Sequence, residues 1–236
     1  MIGIIAIVAV SWLLLHFTVK KNLLALGMTP VPQRIAQFFI GILYMFTLLL
    51  LVVAADTWWY DFNWQKQESL SLGSLGQSIW YYFKAVLTED LVFRGAILYI
   101  LVKKLGFKIG IALSAVAFGI YHWFSFGLLH GEINIVPLAY VFITTGLMGL
   151  AWAYTFVRTQ SIIMALGMHL GWNQAQALFY PNQPYGELLY KVVERTDVSQ
   201  GINFMYLIAK AIIVPALVML FVYWYSKDKI NAVEQN

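Results

Sequence analysis

The stretch IWYYFKAVLTEDLVFRGAILYILV, residues 79–102, is long and apolar enough to cross a bilayer, yet it carries Lys84, Glu89, Asp90 and Arg94. A charged side chain near the centre of a spanning helix costs about 2.5–3.5 kcal/mol on insertion scales. Such a load persists only where the groups face a bundle interior or a wet cavity and find partners there. Asp90 and Arg94 are four residues apart, so on a helix they meet along one face. Glu89 is turned by about 100° from Asp90 and faces a different neighbour. Residues 79–102 therefore predict helices packed around a polar interior inside a membrane.

The rest of the chain agrees. Of its 236 residues 61% are hydrophobic and 11% charged, with a mean hydropathy of +0.74. An ordinary soluble domain carries about 25% charged residues, enough to cover a wetted surface; this chain does not. Apolar runs recur at Ile2–Val19, Ala36–Ala55, Ile79–Val102, Ile109–Leu128, Ile135–Val157, Ser161–Tyr180 and Phe204–Tyr225. They predict an all-α, polytopic transmembrane helix bundle of about seven spans, with eight as the alternative count. No repeat or linker divides it, so residues 1–236 read as a single membrane domain. The polar stretches Asp56–Gln77 and Asn182–Asn203 read as loops.

The net charge of +4 is spread over short loops rather than clustered on one face, which argues against nucleic acid as a partner. One set of loops and the C-terminal tail hold Lys20, Lys21, Arg34, Lys103, Lys104, Lys108, Arg158, Lys227 and Lys229. The opposite set holds Lys66, Lys191 and Arg195. That bias of nine to three predicts an outside N-terminus and a cytoplasmic C-terminus. The first segment lacks a basic leader and an A-x-A site, so it reads as a retained helix rather than a signal peptide. With no cysteine, disulfides, thiolate ligands and a cysteine nucleophile are excluded.

Other polar residues lie at matching depth. Counted from the outer ends of their spans, Glu89 is about 10 residues in, His122 about 6, His169 about 11 and Asn173 about 7, a spread of about 8 Å. Asn173 follows His169 by four and shares its helix face. Three spans thus bring a carboxylate, two imidazoles and an amide into one layer. Two buried carboxylates beside one Arg should differ in ionisation: the paired one stays charged, and the other is free to exchange a proton. His16, His130 and Glu132 read as bland, and Lys84 and Lys210 are expected to snorkel toward the outer boundary.

Glu89-Asp90-Leu91-Val92-Phe93-Arg94 resembles the E-E-x-x-x-R motif of the CPBP family, the CAAX prenyl endopeptidases and bacteriocin-processing (Abi-type) proteins. Phe118-Gly119-Ile120-Tyr121-His122 resembles that family's F-x-x-x-H, and His169-Leu170-Gly171-Trp172-Asn173 its H-x-x-x-N. Each motif alone is weak; all three, in order on three spans, are specific. The resemblance covers a catalytic core at about residues 80–180. It implies an intramembrane endopeptidase, expected in the bacterial inner membrane, acting on a membrane-associated peptide or protein with or without a lipid group. Carried over, Glu89 would activate water, His122 would position it, and His169 and Asn173 would stabilise the oxyanion. Arg94 would hold the acidic pair. The second motif position is usually Glu and here is Asp90, one methylene shorter, which leaves Glu89 as the expected base.

Two His and a Glu could also bind Zn²⁺, through Glu89, His122 and His169. H-E-x-x-H is absent, so no cofactor is favoured. Two other functions compete: a non-enzymatic partner such as a bacteriocin-immunity or scaffolding protein, and a proton-coupled carrier. Paired Gly/Pro-interrupted helices and repeat symmetry, which a carrier would favour, are not seen.

Overall fold

The computed structural model describes residues 2–68, 70–181 and 184–234, the last seven as backbone. Among these residues run eight α-helices: α1 (Ile2–Val19), α2 (Val31–Tyr60), α3 (Leu72–Phe93), α4 (Ala96–Leu105), α5 (Phe107–Ser125), α6 (Ile135–Thr159), α7 (Ile162–Phe179) and α8 (Gln200–Glu234). Several starts are written in the sequence. Ser71, Asn134 and Ser161 cap α3, α6 and α7 by accepting hydrogen bonds from the backbone N–H groups of Ser74, Val136 and Ile163. Pro32 sits in the first turn of α2, where no amide donor is needed.

Five helices are long and apolar enough to cross a membrane: α1, α2, α5, α6 and α8 through Lys227. The chain is an all-α integral membrane protein. The expected count of about seven also needs α3 and α7, which apolarity alone does not qualify. α3 carries Lys84, Glu89 and Asp90, and α7 carries His169, Asn173, Gln174 and Gln176.

Three local expectations are corrected. Residues 79–102 do not form one helix: α3 ends at Phe93, Arg94 leaves helical geometry (φ −119°, ψ 2°), and α4 begins after Gly95. A Cβ on Gly95 would stand 2.1 Å from the Leu91 carbonyl oxygen, so this break requires glycine. α2 overruns its predicted end at Ala55 by more than a turn and carries Asp56 into a buried position. The two polar stretches pair: β1 (Asn63–Lys66) runs antiparallel to β2 (Tyr190–Glu194), with Trp64 opposite Val192. Neither segment alternates apolar and polar residues cleanly, which is why both read as loop.

The core joins α2, α6, α7 and α8 through Met45, Leu49, Trp152, Met164, Met168 and Val218. The opposite face of α2, with Phe39, Leu43 and Leu51, is exposed and suited to lipid. Backbone contact between α2 and α7 depends on Gly167 and Gly171. A Cβ on Gly167 would meet Phe38 O at 2.2 Å, and one on Gly171 would meet Ile42 O at 2.7 Å. These two glycines bracket His169 and fix its helix against α2. Gly167→Leu is expected to separate the pair and destabilise the protein by about 1–3 kcal/mol or more, read as a lower unfolding temperature in detergent. An unchanged unfolding temperature would contradict this packing.

Candidate active site

Glu89 and Asp90 lie in the last turn of α3, just before the break, and Arg94 is the residue at which the helix stops. The Arg94 guanidinium donates to Asp90 Oδ1 from Nη1 at 3.1 Å, and both side chains are fully buried. Its central carbon lies 3.7 Å from the centre of the Phe118 ring on α5, a cation–π contact that covers one face. Gly149 on α6 leaves the room required: a Cβ there would stand 2.8 Å from Phe118 Cδ1 and 3.2 Å from Arg94 Nη2.

Asp90 Oδ1 also lies 3.2 Å from Nδ1 of His169 on α7. A carboxylate oxygen accepts, so Nδ1 carries the proton and donates, which turns Nε2 toward the other carboxylate. Nε2 stands 3.7 Å from Glu89 Oε2. His169 thus spans the two acids, and Trp152 of α6 stacks on it with centroids 5.6 Å apart and planes at 24°. Helix spacing paired Asp90 with Arg94; its second partner on another helix could not be read from spacing.

His122, near the end of α5, places Nδ1 2.8 Å from the Phe118 carbonyl oxygen. That carbonyl can only accept, so His122 donates from Nδ1 and keeps a lone pair on Nε2. Phe118 stands edge-on to both imidazoles, 4.4 Å from His122 and 6.0 Å from His169 between centroids. Glu89, His122, His169 and Asn173 all line one cavity of about 1240 Å³, shared with Trp152, Tyr121, Trp172 and Lys84. Asn173 is half-buried on its wall, one turn beyond His169. Glu89 keeps 19% of its side chain exposed, so it meets the cavity while Asp90 and Arg94 do not.

Among the described residues no group of three or more His, Cys, Asp or Glu side chains could hold a metal ion. The alternative Zn²⁺ set of Glu89, His122 and His169 therefore has no built ligand geometry.

A second polar cluster reaches the same cavity through Lys210 and Tyr180. Asp56 of α2, only 2% exposed, receives both carboxylate contacts of Lys210 Nζ at 2.9 Å. It also accepts from the hydroxyls of Tyr180 and Tyr206. Lys210 does not snorkel outward as expected; it is spent on a buried acid. A signal was present, because a lysine inside α8 requires an anion at its depth and Asp56 closes the apolar run of α2. Lys210→Met leaves that carboxylate with hydroxyl donors alone and is expected to cost about 3–5 kcal/mol, seen as a lower unfolding temperature in detergent.

Residues 71–175 match the family described as type II CAAX prenyl endopeptidase Rce1-like. The matched segment begins at the cap of α3 and ends just beyond Asn173, so it contains every residue of the first cluster. No curated protein and no solved structure matches the chain.

Proposed function

We propose that the protein is an intramembrane endopeptidase that hydrolyses a peptide bond in a membrane-associated peptide or protein with water activated by Glu89. The observation that carries this reading is a half-buried carboxylate 3.7 Å from an imidazole nitrogen, on a cavity also lined by His122 and Asn173. The match of residues 71–175 to a prenyl endopeptidase family supports the same reaction class.

Each group has a role that its partners allow. Glu89 takes the proton of an attacking water, which the free lone pair on His122 Nε2 helps to orient. As the carbonyl carbon becomes tetrahedral, its oxygen gathers charge. The amide of Asn173 and the imidazolium form of His169 donate to it, the ring oriented through Nδ1 by Asp90. Glu89 then returns its proton to the departing amine. Arg94 stays out of contact with substrate and keeps Asp90 paired and aimed. α3 and α7 are membrane-crossing in this account, giving seven crossings with α3 and α4 counted as one. From the bias of basic loops we infer an outside N-terminus and a cytoplasmic C-terminus.

The test is a trapping experiment. Membranes containing Glu89→Gln protein are crosslinked and the captured peptides identified by mass spectrometry, with wild type alongside. The account expects an intact membrane peptide on the variant and its two fragments with wild type. The same uncleaved peptides on both proteins would refute it.

A further inference from the structure

The acids buried in the described helices each face a basic partner. Asp90 holds Arg94, Glu89 faces His169, and Asp56 holds Lys210. Lys84 has no carboxylate partner among the described residues. It is half-buried on α3, and its ammonium lies 5.5 Å from the centre of the Trp80 ring. It lines the cavity that contains Glu89, together with Tyr81, Ala85 and Thr88 of the same helix. Five residues separate it from Glu89, about 7.5 Å along the axis.

A half-buried ammonium on the cavity wall is best compensated by an anion, and a single aromatic face supplies only part of what a carboxylate would. The cavity's other lysine, Lys210, is already neutralised by Asp56. We propose that Lys84 selects substrate by pairing with a carboxylate on the bound peptide, either its free C-terminus or an acidic side chain. This rests on the peptidase reading and names what that cavity prefers. Lys84 is a specificity residue, outside the reacting groups.

The experiment reads binding, so it does not depend on turnover. Wild type, Lys84→Met and Lys84→Arg proteins in phosphatidylcholine nanodiscs are titrated with three fluorescent apolar decapeptides. One has a free C-terminus and no acid, one is amidated with an internal Glu, and one is amidated and neutral. Wild type should bind one or both carboxylate peptides about tenfold more tightly than the neutral one. Lys84→Met should abolish that preference and Lys84→Arg should keep most of it. The arm that shows the preference identifies the source of the carboxylate. Equal binding of all three by wild type, or a preference that survives Lys84→Met, overturns the proposal. Cleavage of the same peptides is followed separately: its absence bears on the peptidase reading and leaves the binding result intact.

Discussion

Glu89→Gln is expected to lower the rate of peptide hydrolysis by about 10²–10⁴-fold, the range that a positioned general base supplies. The amide keeps the shape of the side chain and loses the ability to take a proton from water. Folding should survive, because Glu89 stands outside the buried Asp90–Arg94 pair and retains contact with the cavity. Initial rates on any peptide that wild type cleaves, with unfolding temperatures of both proteins in detergent, make the comparison. A folded variant that cleaves at the wild-type rate would remove Glu89 from the mechanism.

The second large effect is on stability. Arg94→Leu should destabilise the protein by about 3–5 kcal/mol, because it leaves Asp90 as a fully buried charge facing only His169. That is a large fraction of the stability of a typical domain, so most of the variant should fail to accumulate as folded protein. Asp90→Asn combined with Arg94→Leu removes both charges and should recover much of the loss. The double variant should still be poorly active, because the contact of the Asp90 carboxylate with Nδ1 that orients the His169 ring is lost. Yields of monodisperse protein and unfolding temperatures for the single and double variants decide the matter. A single variant as stable as wild type would mean that the pair does not anchor α3.

The helical class was legible from periodicity and composition because the bilayer demands long apolar runs, and residues that break the pattern are conspicuous. Glu89, Asp90, Arg94, His122 and His169 stand out on energetic grounds from their positions in the chain alone. What spacing could not supply was contact between helices. The bond from Asp90 to His169 and the stacking of Trp152 on that ring depend on how α3, α6 and α7 pack. The break at Gly95 was hidden because the hydrophobic run continues through it and an isolated glycine in such a run does not by itself end a helix. The burial of Asp56 is hidden for a related reason. A charge at the end of an apolar run looks like the start of a loop, and only its ligation by Lys210, Tyr180 and Tyr206 shows why the helix continues. The β1–β2 ribbon was illegible because its partners lie far apart in sequence and carry mixed side chains.

The central claim is that water enters the cavity and attacks a peptide carbonyl there. It is tested most directly by incubating reconstituted wild-type protein with a membrane-associated peptide mixture in ¹⁸O-labelled water and weighing the fragments. The account predicts new C-termini carrying ¹⁸O with wild type and none with Glu89→Gln protein. Labelled fragments in equal amount from both proteins, or no fragments from wild type across the mixture, would contradict it.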